Sequence, residues 1–167
     1  ELHDGCVFGS FNNFAKISDE MLELWLQIVQ RVPGSRLLLK NPSRKHWIRS
    51  IQKRAAKIGF QPEQLEIQGA SGDYFARYPD MDIMLDTYPY TGGGTTCDAL
   101  YMGVPVISLY GERHGSRFGY SLLQNIGLGE LAPASKDDYA AVAVALAKDG
   151  EAIRLLHQNL RTHQCFR

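Results

Sequence analysis

The residues best suited to chemistry lie in one stretch, Asp86-Thr87-Tyr88-Pro89-Tyr90-Thr91-Gly92-Gly93-Gly94-Thr95-Thr96-Cys97-Asp98. Three successive glycines let a backbone come close to a ligand, because no Cβ stands in the way. The two threonines can offer amides and hydroxyls to an anion. A helix starting there adds unpaired N–H groups and a dipole that favours phosphate. Asp98, one turn further in, can accept hydrogen bonds from ribose hydroxyls. The turn matches neither the dinucleotide-binding glycine pattern nor the phosphate loop that carries Lys before Ser or Thr. A plain strand-to-helix connection capped by Thr95 would need fewer glycines. Gly92, Gly93, Gly94, Thr95 and Thr96 are therefore read as a phosphate cradle.

A second loop, Phe11-Asn12-Asn13-Phe14-Ala15-Lys16-Ile17-Ser18, places a lysine just before a predicted helix start. A cation there opposes the helix dipole. A phosphate facing Lys16 would account for the placement, and so would ordinary exposure to solvent. Two further loops carry weaker signals. Small residues in Gln68-Gly69-Ala70-Ser71-Gly72 would let a flat base pack against backbone. The polar loop from Gly111 to Arg117 could contact a sugar or phosphate, although nothing selects His114 as a base.

These loops need a frame. Apolar segments at 7–11, 36–39, 65–68, 83–86 and 104–108 read as strands, with a short edge strand near Leu131. Helical spacing joins Met21, Trp25, Ile28, Val29 and Val32 behind a Ser18 cap, and Trp47, Ile48, Ile51, Ala55 and Ile58 before Gly59. Further helices are expected over 73–78, 95–102, 117–125 and 136–148, and after Gly150. Alternation of strand and helix predicts a parallel sheet with helices on both faces, a doubly wound, Rossmann-like α/β domain. Ligands of such sheets sit beyond the carboxyl ends of the strands, where all four loops lie.

Composition narrows the partners. A chain of 167 residues with 44% apolar content suits one domain with one core. Lys plus Arg and Asp plus Glu both count 18, so no nucleic acid or membrane surface is expected as a partner. No apolar run is long enough to span a bilayer, and the first residues lack the order of a secretory leader. Cys6, Cys97 and Cys165 have no metal-ligand or disulfide spacing, so the expected compartment is the cytoplasm. Both ends read as cut, and residues 1–167 are expected to be one lobe of a longer protein. Charge is unevenly placed: between Leu24 and Pro62 there are nine Lys or Arg and no acid. Lys45, Arg49, Lys53 and Lys57 form a stripe whose like-charge pairs each cost a few tenths of a kcal/mol, roughly. A solvated face is the plain reading, and a docking face for an acidic partner is the other. The chain would then be a non-catalytic interaction module.

Together the segments from Phe11-Asn12-Asn13 to Lys16-Ile17, Asp86-Thr87, the Gly-Thr-Thr turn with Asp98, Gly103-Val104-Pro105, and Gly111-Glu112 to Ser116-Arg117 resemble the C-terminal catalytic lobe of O-GlcNAc transferase and its SPINDLY relatives, glycosyltransferase family 41. The resemblance implies the C-terminal lobe of a GT-B fold. In that fold two Rossmann-like lobes face each other, and this one holds the nucleotide-sugar donor. It also implies an N-terminal catalytic lobe preceded by tetratricopeptide repeats. The implied activity is inverting transfer of a sugar to Ser or Thr of a protein acceptor, with no metal or other cofactor. By the same resemblance Lys16 contacts the donor diphosphate, and Asn13 lies in the same donor loop. Gly94, Thr95 and Thr96 hold phosphate, and Asp98 is the ribose-binding acid. Gly93 stands where O-GlcNAc transferases carry His, and Ser71 and Tyr74 stand where they carry a donor-site Lys and His. The run from Thr95 to Pro105 is closer to SPINDLY. The expected donor is UDP-GlcNAc, with GDP-fucose as the alternative.

Overall fold

A computed structural model describes residues 5–41, 45–69 and 72–162. Its strands are β1 (Val7–Ser10), β2 (Arg36–Lys40), β3 (Leu65–Gln68), β4 (Ile83–Leu85) and β5 (Val106–Ile107). Its α-helices are α1 (Asp19–Arg31), α2 (Lys45–Ile58), α3 (Gly94–Tyr101), α4 (Phe118–Asn125), α5 (Lys136–Lys148) and α6 (Gly150–Thr162). Local chemistry sets several of these boundaries. Ser18 Oγ accepts from Met21 N at 3.2 Å, with Asp19 and Glu20 in the first turn of α1. Ser135 caps α5 in the same way, ahead of Asp137 and Asp138. Each cap satisfies an N–H group that the helix cannot, and the acids complement the dipole. Gly59 follows α2 at φ +118°, a conformation that L side chains rarely adopt.

The five strands are all parallel, in the order β3-β2-β1-β4-β5. Leu37, Leu38, Leu39, Ile83, Met84 and Leu85 are fully or almost fully buried in consecutive runs, as expected of a sheet covered on both faces. The order dictates where a ligand can go. From β1 the chain builds outward through β2 to β3, then returns to place β4 on the other side of β1. The loops leaving β1 and β4 therefore lie side by side at the switch point, where ligands of such sheets bind. They are the Lys16 loop and the glycine turn.

Across the first face, α1 packs against α2 and α5. Its fully buried Trp25 donates Nε1–H to Tyr139 Oη at 3.1 Å, and Tyr139 donates its hydroxyl to the carbonyl of Asp86 at 3.0 Å. Two buried side chains thus tie the first face to the end of β4.

The far edge differs from the sequence expectation. Leu131 ends a 3-10 turn (Gly129–Leu131) rather than a strand. Ser108 N still donates to Leu131 O at 3.0 Å, and Tyr110 N to Pro133 O at 3.1 Å. These are half the bonds of a parallel ladder. The return bond to Ser108 would come from the N–H of residue 133, and proline has none. β5 itself is only two residues long.

Tyr139→Phe removes the hydroxyl from a buried chain. Trp25 Nε1–H and the Asp86 carbonyl are then left unpaired, at about 1–3 kcal/mol for each group. Urea unfolding should show the midpoint falling with an unchanged m-value.

Candidate functional site

The site at the switch point is built around a carboxylate. Asp86 follows β4 and is fully buried. Its Oδ1 accepts from Asn12 Nδ2 at 3.1 Å, Thr87 N at 2.9 Å and Gly92 N at 2.7 Å, and its Oδ2 accepts from Ser108 Oγ at 2.7 Å. One side chain therefore joins the loop after β1, the start and end of the turn after β4, and β5. Burial raises the Asp86 carboxyl from 3.8 to about 6, and the four donors hold it from rising further.

The glycine turn divides into an inner and an outer part. A Cβ on Gly92 would meet Thr95 Oγ1 at 2.5 Å, Asn12 Oδ1 at 2.8 Å and Thr96 Oγ1 at 2.9 Å. Gly92 is glycine because the interior requires it. A Cβ on Gly93 or Gly94 would meet nothing within 4 Å, and neither has a positive φ. Neither packing nor backbone conformation inside the chain calls for glycine at these two positions. Gly93 is the N-cap of α3 and Gly94 its first residue. The N–H groups of Gly94, Thr95 and Thr96 have no intrahelical acceptor, as at any helix start.

The threonine hydroxyls depart from expectation. Thr95 Oγ1 donates to Asn12 Oδ1 at 2.8 Å, and Thr96 Oγ1 donates to the Gly92 carbonyl at 2.9 Å. Both hydroxyl hydrogens are turned inward. What the turn presents outward is backbone N–H.

Lys16 stands beside this turn. It ends a 3-10 turn (Phe14–Lys16) capped by Asn13, whose Oδ1 accepts from Ala15 N at 3.0 Å. Asn13 is thus exposed in the loop with its oxygen committed to the turn. Lys16 Nζ donates to Thr91 O at 3.4 Å and lies 4.4 Å above the ring of Tyr90. Partial burial lowers its pKa, and the charge of Asp86 pulls it back up. Asp98, further along α3, is half-buried, and burial raises its carboxyl. Its side chain has no hydrogen-bond partner among the described residues. Tyr74, which hydrogen-bonds Tyr78 Oη at 2.8 Å, lies near enough for Asp98 to raise both phenols. Tyr78 Oη in turn donates to Thr95 O at 3.5 Å. Ser71 lies outside the described residues.

The fold thus sets Lys16 against the turn that carries Gly92, Gly93, Gly94, Thr95 and Thr96, while Asp98 lies further along α3 on the side of Tyr74 and Tyr78. Sequence reading had Asn12, Asp86 and Tyr90 within its candidate segments but gave them no role of their own. Asp86 left a signal, since an acid closing the apolar run Ile83-Met84-Leu85 must be buried and partnered. Asn12 left none.

A five-stranded parallel sheet with these two loops meeting at its switch point defines a Rossmann-like lobe of the kind found in GT-B glycosyltransferases. The chain belongs to glycosyltransferase family 41: the profile described as "Glycosyl transferase family 41" matches residues 2–165. It is 40% identical over 164 residues to the Oryza sativa subsp. japonica protein named "Probable UDP-N-acetylglucosamine--peptide N-acetylglucosaminyltransferase SPINDLY", covering 93% of this chain and 17% of that one. It is 30% identical to the Caenorhabditis elegans UDP-N-acetylglucosamine--peptide N-acetylglucosaminyltransferase, covering 89% and 13%. Among solved structures, the K341M mutant of Thermobaculum terrenum O-GlcNAc transferase superposes with a TM-score of 0.88 at 34% identity, covering 96% of this chain and 32% of that one. The chain thus spans less than a third of the length of each.

Asp86 separates two roles in one residue. Asp86→Asn keeps an acceptor at Oδ1 and can donate to Ser108 Oγ from Nδ2. Asp86→Ala leaves three N–H donors buried and unpaired, at about 1–3 kcal/mol each. The charge also has a pH signature. Between the unfolded value of 3.8 and the folded value of about 6 the native chain holds a proton that the unfolded chain has released. The stabilisation is complete below the lower value and is lost as pH rises through about 6, a change of ~3 kcal/mol. Wild type should therefore lose that stability relative to Asp86→Asn between pH 4 and 7, approximately. Parallel pH profiles of the two proteins in urea unfolding would contradict this.

Proposed function

We propose that this site binds the diphosphate of a nucleotide-sugar donor, and that the chain is the donor lobe of an inverting protein O-glycosyltransferase. The observation that carries this is the pair Gly93 and Gly94. They are glycines without an internal reason, at a helix start, beside a lysine. Their outer surface is left bare for something that approaches closely. The N–H groups at the start of α3, of which those of Gly94 and Thr95 belong to residues that reach the surface, and the helix dipole suit a diphosphate. Lys16 needs only to exchange the Thr91 carbonyl for a phosphate oxygen.

The chemistry follows from charge. As the sugar leaves, negative charge grows on the nucleoside diphosphate, and Lys16 with the α3 amides stabilises it without a metal. Asp98, lacking a hydrogen-bond partner among the described residues, is placed to accept from ribose hydroxyls. Transfer to a Ser or Thr hydroxyl also needs an acceptor held against the anomeric carbon. In this reading a second lobe of the longer protein supplies that geometry, and the present chain binds donor but transfers nothing alone. The cytoplasm remains the proposed compartment. UDP-GlcNAc is the proposed donor, in keeping with the names of the relatives. Gly93, in the place of a His, favours GDP-fucose as the second reading.

Thermal denaturation with UDP, UDP-GlcNAc, GDP and GDP-fucose distinguishes these readings. One nucleotide pair should raise the melting temperature by a few degrees, roughly, at a hundredfold excess over Kd, equivalent to about 2.7 kcal/mol. Lys16→Ala should abolish the shift. No shift with any of the four at millimolar concentration would sink the donor-lobe reading. Gly94→Val provides an independent check. Its Cβ meets nothing inside the chain, so the fold should survive, while the side chain blocks the approach of phosphate. Wild-type nucleotide affinity in that variant would show the turn to be a connection only.

A further inference from the structure

We propose that the outer face of α2 is a docking surface for an acidic helical segment of a polypeptide. Lys45, Arg49, Lys53 and Lys57 are all exposed, on the side of the helix opposite the buried Ile51 and Ala55. Successive members are four residues apart, so the charges recur about every 6 Å along the axis. None of the four makes an ion pair among the described residues. Two nearby acids are committed elsewhere: Asp19, reaching over from α1, pairs with Arg54 on the flank of α2, and Glu66 pairs with Arg36. The helix also has no acid in its first turn, where Lys45 opposes the dipole. In a chain whose net charge is zero, a basic composition cannot account for this concentration.

The shape of the stripe selects the partner. It is narrow, with the neutral Ser50, Gln52 and Ala56 around it. The neighbouring helix α1 exposes Asp19, Glu20 and Glu23. A duplex nucleic acid or an anionic bilayer is wider than one helix, so most of its charge would find no partner on this stripe. A helix carrying Glu at every fourth position repeats at the same pitch as the stripe and needs no greater width.

The proposal does not depend on the diphosphate site, and its test keeps the two apart. Fluorescence anisotropy would measure binding of a labelled alanine-based helical peptide with Glu at every fourth position, at physiological salt. Binding should be about tenfold tighter than for a peptide of the same composition with its Glu residues clustered. The K45Q/R49Q/K53Q/K57Q variant should lose it while keeping its circular dichroism and melting temperature, and Lys16→Ala should bind as wild type. Replacing the same four residues by Glu should transfer binding to the matching Lys peptide. Equal affinity for the clustered peptide, retained binding in the Gln variant, or loss in Lys16→Ala would each overturn the proposal. So would tighter binding of single-stranded oligothymidylate or of phosphatidylserine vesicles.

Discussion

A buried carboxylate has to be surrounded by donors or it will not stay buried as an anion. Asp86 meets that condition with four donors drawn from three separate parts of the chain. The requirement organises the site. Gly92 must bring its N–H inward, which directs the rest of the turn outward. Asn12 must present its amide to Asp86, which leaves its oxygen for Thr95. Ser108 must face the same carboxylate, and Gly119 packs so closely there that a Cβ would lie 2.1 Å from Ser108 Oγ. The backbone of Asp86 is fixed as well, through Tyr139 and Trp25. The outward-facing amides are consequences of what is satisfied behind them.

The same arrangement sets the electrostatics. Asp86 places negative charge beneath a turn that presents positive partial charge at its surface. Lys16 lies between two demands, since burial disfavours its ammonium and Asp86 favours it. Tyr90 offers its ring face to the same ammonium. The lysine is thus held beside the turn by contacts weak enough to exchange. One carbonyl at 3.4 Å and one aromatic face are modest interactions next to a phosphate.

Much of this was legible in the sequence. Continuous apolar runs gave the strands, Ser18 and Ser135 marked helix starts, and the glycine turn stood out by composition. That the candidate loops lie beyond the carboxyl ends of the strands followed from the alternation of strand and helix, whereas which two of them meet follows from the strand order. The hydroxyls of Thr95 and Thr96 were misread because their direction depends on Asn12 Oδ1 and the Gly92 carbonyl. Asn12 is 83 residues away from Thr95, and only the placement of β1 beside β4 brings them together. The strand expected near Leu131 failed on a single missing N–H at Pro133. Local pattern predicts elements well, whereas partners across the switch point belong to topology.

The unfinished ladder at β5 also bears on how the sheet meets other chains. A free strand edge is a template on which a second copy can add a strand. Here the segment from Leu131 to Pro133 takes two donors of the β5 edge, and its proline offers no N–H in return. At the opposite edge β3 carries Glu66, paired with Arg36, and Gln68, bonded to Glu66 and Arg77. One side is covered and the other is occupied by polar side chains bonded to one another. A five-stranded parallel sheet built this way resists growing by edge addition, so the lobe can expose its site without exposing a seed for aggregation.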